Sequence, residues 1–316
     1  MSYFYALIRT LLCLCALVFN GCNREEQNPE SRLRIGTLYT ADVLPLRVAE
    51  AEGYFTDAGV DVEIIPFQSA MERDSAFSAR QLDGMTSDLV GTSLMRAKGG
   101  GLRIVLLTAG GQTGVGRMAI LASPRSDIFI TDDLKGRPVA MSSNSVVEYV
   151  ADQLLSEHGF SQDDIRKSIV SKIPMRLNML IEGQVPAAIL PDPMAAYAEA
   201  KGARLILDDR EDCIGHAVLA IRSEILETKS VAMQRMLDAV ARATETINTD
   251  PAAYRQLLSD VTRTPAGVKG AEVVCYPVNQ LPSEANLARV QGWLQRKGLL
   301  KERTSYNDIV TDEYIR

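Results

Sequence analysis

The sequence predicts an α/β protein of two Rossmann-like lobes, with the first interrupted by the second and then resumed. Short β-rich runs alternate with segments of helical apolar spacing along most of the 316 residues, the pattern of a sheet covered by helices on both faces. A glycine-rich stretch, residues 109–116, breaks that rhythm, which then starts again. A last strand follows the acidic run at 208–212, and after it come only helices. Two crossings between the lobes follow, with a ligand cleft between them.

Arg32–Leu38 alternates and is β-rich at its core, so it is the first strand. Leu44–Glu52 carries apolar residues at helical spacing, and Gly53-Tyr54-Phe55 and Gly59 end it. Val60–Ile65 reads as a strand and Ser69–Gln81 as a helix opened by a good N-cap. Asp83–Ser87 is a short strand, Asp88–Lys98 a helix and Leu102–Thr108 a strong strand. Past the first crossing, strands are expected at Arg117–Ala122, Arg137–Met141, Pro186–Leu190 and Arg204–Leu207. The helices among them are Ser145–His158, Arg176–Glu182 and Met194–Lys201. His216–Ile221 is the returning strand, and helices follow at about 230–248, 252–261 and 283–297. Because strands and helices alternate, parallel sheets are expected.

A faint internal echo supports two equivalent halves. Leu82–Asp88 and Glu182–Asp192 each read as turn, short strand, then Asp at the next helix start. Asp88 and Asp192 can be plain N-caps. They also stand at carboxyl ends of strands, where open α/β sheets bind ligands.

The N-terminus points to export. Arg9 precedes an apolar run, Thr10–Phe19, and then Asn20-Gly21-Cys22. This is a secretory signal ending at Gly21, too short to span roughly 30 Å of hydrocarbon. It resembles a bacterial lipoprotein signal, which implies lipid on Cys22, with Phe19 and Asn20 departing from the common form. Residues 22–31 are polar and form a flexible tether. Removing residues 1–21, which hold one Arg and no acid, moves the net charge from −6 to −7. An acidic chain without a basic stripe argues against nucleic acid. Cys213 and Cys275 remain, as a disulfide or as two small buried hydrophobes. With His158 and His216 the only histidines and no CxxC, neither a metal site nor another cofactor is expected.

Leu46–Phe55, Gly59–Glu63, Asp83-Gly84 through Thr92, Ala187–Pro193 and Tyr306–Val310 together resemble the periplasmic solute-binding proteins of the sulfonate, taurine, nitrate and thiamine-precursor group. The likeness covers roughly residues 32–316. It implies a type II periplasmic binding protein fold and a monomer without enzymatic activity. Such a protein closes on a small solute at the extracytoplasmic face and hands it to an ABC permease and its ATPase. Lobe 1 is then 32–110 with 217–316, and lobe 2 is 111–216. Related folds also serve enzymes of menaquinone and pyrimidine synthesis, so an enzyme on this scaffold is the alternative.

Candidate ligand contacts lie at strand ends. Tyr39 can stack on a flat ligand and Asp42 can receive a donor, whereas Thr40 or Asp42 can instead only cap the next helix. Phe67 and Ser69 follow the second strand, Ser87 and Asp88 the third, and Thr108 and Gln112 stand at the first crossing. In lobe 2, Ser142, Ser143 and Asn144 open a helix whose N–H groups attract anions, and Asp192 ends a strand. His216, at the second crossing, can touch ligand or satisfy a hinge carbonyl. Residues 110–116 are not a P-loop, since no Gly-Lys-Ser/Thr follows. Arg117 is the one cation expected near the cleft. Asp42, Asp88 and Asp192 with Tyr39 and Phe67 favour a thiamine-related pyrimidine or another aromatic heterocycle; a small anion such as a sulfonate, taurine or nitrate is the alternative.

Overall fold

The computed structural model describes residues 32–110 and 117–315. The expected signal and tether, Cys22 and Gln112 lie outside them.

Two five-stranded sheets form. The first has the order β2-β1-β3-β10-β4, built from β1 (Arg32–Thr37), β2 (Asp61–Pro66), β3 (Gly84–Asp88), β4 (Leu102–Ala109) and β10 (Ala217–Arg222). The second has the order β7-β6-β8-β5-β9, from β5 (Met118–Ala122), β6 (Pro138–Met141), β7 (Arg166–Ile169), β8 (Ala187–Pro191) and β9 (Arg204–Asp208). Strand for strand, the two orders are equivalent.

The expectation of purely parallel sheets is corrected. Strands β1, β2 and β3 are parallel, but β10 is antiparallel to β3 and β4. Likewise β5 is antiparallel to β8 and β9. The reason is the route of the chain. Each crossing leaves one half at the carboxyl ends of its strands and enters the other half at the same end. The arriving strand must therefore run the opposite way.

The central strands are covered on both faces. Leu33, Ile35 and Leu219 on one face of the first sheet, Met85, Val218 and Ala220 on its other face, and Ile120 and Leu190 on the two faces of the second are all fully buried, as expected for near-continuous apolar runs. Glycine matters where backbones crowd. A Cβ on Gly84 would stand 2.3 Å from Ile221 Cδ1 and 3.1 Å from Ala220 O, so a side chain there would displace the Ile221 side chain and crowd the β10 backbone. Gly53, at φ 74°, turns the chain between helices Leu44–Ala51 and Tyr54–Asp57.

The helix Glu284–Arg296 joins the halves at the back. It packs on helix Leu89–Ala97, and Trp293 meets Tyr149 of helix Val146–Glu157 edge-on at 5.4 Å. Trp293 Nε1 donates to Asp152 at 3.1 Å. Lys167 bridges Glu148 and Asp152 at 2.8 and 2.6 Å, and Lys297 also pairs with Glu148. Burial pushes the Glu148 carboxyl up, but hydrogen bonds from Lys167 and Lys297 bring it below its ordinary range. Every charge in this buried set has a partner.

Candidate functional site

The carboxyl ends of the parallel strands of both sheets enclose a cavity of about 170 Å³. A cavity of roughly 150 Å³ holds benzene, so the space suits a small solute. Thr40, Asp42, Ser87 and Asp88 line it from the first half, and Ser142 and Asp192 from the second. His216 lines it at the second crossing.

Six other expected contacts lie elsewhere. Tyr39 is turned aside: the Arg263 guanidinium stacks on its ring at 3.7 Å and donates to its hydroxyl at 2.5 Å. Phe67 packs on the core beside Gly36. Ser69 is buried as the N-cap, accepting from Glu72 N at 3.3 Å. Thr108 is buried within β4, and the wall there is Ala109 and Gly110. Ser143 and Asn144 are exposed, because the turn at Asn144 (φ 52°) directs them outward and Ser145 takes the wall position. The aromatic platform expected from Tyr39 and Phe67 is thus absent from the wall, where the aromatic residue is Tyr276. Its hydroxyl is occupied, donating to Ala41 O at 2.9 Å.

Arg117 lines the cavity but is fully engaged. It pairs with Asp192 at 3.1 Å, with Asp208 at 3.0 Å and with Glu199. Three carboxylates on one guanidinium leave it no charge to offer a ligand. Burial pushes Asp192 up to about 6 despite that partner.

Two arginines not expected from the sequence also line the cavity. Arg73 and Arg176 are each the fourth residue of a helix, Ala70–Ser78 and Ile173–Ile181, leading to the central strand of its sheet. Both line the cavity, and they are only 2% and 0% exposed. Arg73 is neutralised locally: Nη2 and Nε donate to Asp74 at 2.7 and 2.9 Å, and Nη1 to Thr86 O at 2.6 Å. Arg176 Nη1 donates to Ser142 Oγ at 3.0 Å and Val170 O at 2.9 Å. Its Nε and Nη2 are buried without a hydrogen-bond partner. Burial alone lowers its pKa to about 10. An uncompensated buried charge costs several kcal/mol, and these two nitrogens are free to take a further partner at the cavity wall. An arginine isolated on an apolar helix face, Ile173-Pro-Met-Arg-Leu-Asn-Met-Leu-Ile181, was the signal available in the sequence.

The first half presents acid. Asp88 Oδ1 accepts Gly91 N–H at 2.8 Å, and burial pushes its carboxyl up to about 6. Burial also pushes Asp42 up. At the second crossing, Asp209 accepts Met118 N–H at 2.7 Å and Gly215 N–H at 3.1 Å, tying the two connections together. His216 has Nδ1 3.1 Å from Ile214 O and Nε2 2.8 Å from Asn286 Nδ2, and burial lowers its pKa. Both ring nitrogens are therefore committed. Among the described residues, no three His, Cys, Asp or Glu side chains converge as a metal requires.

Residues 40–254 match a family model described as NMT1/THI5 like. The chain belongs to this NMT1/THI5-like family. No curated protein sequence matches it. Among solved structures it resembles the alkanesulfonate-binding protein SsuA from Xanthomonas axonopodis pv. citri bound to MOPS. The TM-score is 0.73 at 18% identity, covering 89% of this chain and 98% of that one. It also resembles the periplasmic nitrate-binding protein NrtA from Synechocystis PCC 6803, with TM-score 0.70, 14% identity and 90% and 87% coverage. The desulfurization enzyme DSZB is similar as well, with TM-score 0.69, 17% identity and 90% and 97% coverage. This NMT1/THI5-like chain therefore has the two-lobed fold of type II periplasmic binding proteins. The connections after β4 and β9 join its two halves.

Proposed function

We propose that this protein is the exported solute-binding component of an ABC importer, tethered by lipid on Cys22, and that it captures a small oxyanion-bearing solute and delivers it unaltered to the permease. The observation that carries this is Arg176: buried, unpaired and at the wall of the inter-lobe cavity. The hydroxyl of Ser142 lies 3.0 Å from its Nη1, and Ser145 and Ser171 share the wall. Serine donors around a desolvated guanidinium suit a sulfonate, carboxylate or similar group. The similar SsuA and NrtA proteins are named for sulfonate and nitrate binding.

An enzyme reading has little support in the cavity. His216 has both ring nitrogens engaged, with Ile214 O and Asn286 Nδ2. The likeness to DSZB keeps the question worth testing. The aminopyrimidine reading rests on Asp42 and Asp88, and the loss of Tyr39 and Phe67 from the wall weakens it.

Calorimetry on ligand-free protein, with alkyl sulfonates, carboxylates and aminopyrimidines, tests this directly. Saturable binding of an oxyanion, with the solute recovered intact by mass spectrometry, is the expected result. Aminopyrimidine binding without any oxyanion binding, or conversion of the solute, would remove the proposal.

A further inference from the structure

We infer that the solute is elongated and acidic at both ends, with its head in the inter-lobe cavity and its far end in an adjoining chamber that Arg255 and Lys269 make positive. This rests on the oxyanion reading above for the head and adds a second subsite for the tail.

The second chamber has a volume of about 320 Å³, against about 170 Å³ for the inter-lobe cavity. Pro193, Leu258 and Glu272 line both spaces, so the two meet there. Pro193 follows β8 in the second lobe, and Leu258 belongs to the helix Arg255–Thr262 of the first. That helix and residues 264–272, a stretch without helix or strand, make most of the chamber wall.

The polar groups of the chamber are of two kinds. The hydroxyls are spent within the chain: Ser259 Oγ donates to Thr264 O at 2.6 Å and Thr262 Oγ1 to Leu258 O at 2.8 Å. Arg255 and Lys269, in contrast, make no hydrogen bond or ion pair among the described residues. Glu272 accepts Gly270 N–H at 3.1 Å, and this bond, helped by the field of Arg255 and Lys269, holds its carboxyl below the ordinary range. Two cations against one acid leave the chamber net positive. Pro265, Val268 and Ala271 add apolar wall.

A compact solute fills the first cavity and leaves the second to water. A solute with an apolar spacer covers Leu258 and Pro193 on its way past them and carries a second acidic group to the two cations. A neutral tail gains only the apolar contact, at most roughly fourfold in affinity per buried methylene. A cationic tail meets two like charges, which costs affinity and gives selectivity. Both cations are exposed, so each adds a modest attraction that salt weakens.

The test uses the full mature chain and probes matched in length. These are linear monocarboxylates and α,ω-dicarboxylates from butane to dodecane, 8-aminooctanoate, and the corresponding alkane monosulfonates and α,ω-disulfonates. Calorimetry should show an affinity maximum at an intermediate length. There the doubly acidic probe should bind roughly three- to tenfold more tightly than the singly acidic one, and 8-aminooctanoate more weakly than octanoate. In the double variant Arg255→Gln/Lys269→Gln the singly and doubly acidic affinities should converge. In the unmodified protein their ratio should also shrink as salt rises from about 0.05 M to about 0.5 M. Doubly acidic probes no tighter than singly acidic ones at every length, a ratio untouched by the double variant, or tighter binding of 8-aminooctanoate than of octanoate overturns the second subsite and leaves the oxyanion reading standing. Failure of every carboxylate and sulfonate overturns both.

Discussion

Arg73 and Arg176 occupy the same place in the two halves of the molecule, yet they are held differently. Each is the fourth residue of its helix and is buried at the cavity wall. Each also donates to a backbone carbonyl and lies near a serine hydroxyl. The difference is the next residue. Asp74 follows Arg73 and pairs with it at 2.7 Å; Leu177 follows Arg176. A buried cation with its counter-charge in the chain is part of the framework. The same cation without one carries a desolvation cost that the chain itself does not offset.

Arg176→Met is expected to have the largest effect and to act in two directions. Oxyanion affinity should fall by about 3 kcal/mol, roughly a hundredfold or more, by calorimetry. The ligand-free protein should become more stable, by about 1–4 kcal/mol, because an uncompensated charge is replaced by an apolar chain. A destabilised ligand-free variant would show that the bonds to Ser142 and Val170 outweigh desolvation, and the contrast with Arg73 would collapse. Arg73→Met should do the reverse. Losing the bond to Thr86 O and the pair with Asp74 should cost about 1–3 kcal/mol in urea melts, and the ligand-free protein should lose stability rather than gain it.

The doubling of the fold was legible in the sequence through the strand–Asp units ending at Asp88 and Asp192. These occupy matching positions, with each carboxylate accepting a backbone N–H, from Gly91 at 2.8 Å and Ala196 at 3.3 Å. Strand β7 was missed because Arg166-Lys-Ser-Ile169 is polar and short at the edge of its sheet, and carries no apolar alternation. The antiparallel strands β5 and β10 were missed because apolar periodicity contains no direction; only the route through the crossings sets it. The site was half legible. Residues directly after strand ends, such as Thr40, Asp42, Ser87 and Asp192, reach the cavity. Arg73 and Arg176 reach it from the first turn of a helix, where the sequence pattern signals caps rather than ligand contacts. Arg117 stands beside the first crossing, which makes it the expected cation; its three acids, Asp192, Glu199 and Asp208, come from later in the chain and only the fold gathers them.

The two strand-end aspartates extend the comparison to pH. Asp88 has its folded pKa raised by burial to about 6, from 3.8. Between those values the folded protein holds a proton that the unfolded chain has released, so stability falls as pH rises from about 4 to about 6 and levels off above. Asp88→Asn removes that loss while retaining a cap for the helix Leu89–Ala97. Melting temperatures of the variant and its parent should coincide near the acidic end. They should separate in the variant's favour toward pH 7, by an amount equivalent to at most about 3 kcal/mol. Identical differences at both ends of the range would mean that the carboxyl is not desolvated in solution.

Asp192→Asn should give the smallest effect, although burial raises Asp192 to about 6 as well. The distinction is Arg117. Removing the Asp192 charge relieves a desolvated carboxylate, which favours the variant above pH 6 for the same reason as at Asp88. It also takes one of three acids from Arg117, but Asp208 at 3.0 Å and Glu199 remain, so the guanidinium is not left unpaired. The two contributions oppose each other, and a net change below about 1 kcal/mol is expected across pH 5–7. A gain at pH 7 as large as that of Asp88→Asn would show that Arg117 contributes nothing to Asp192. The paired and unpaired aspartates would then behave alike, and the rule drawn from the arginines would not extend to acids. A loss of several kcal/mol would show instead that the three-acid cluster acts as one unit that fastens the second lobe to its hinge.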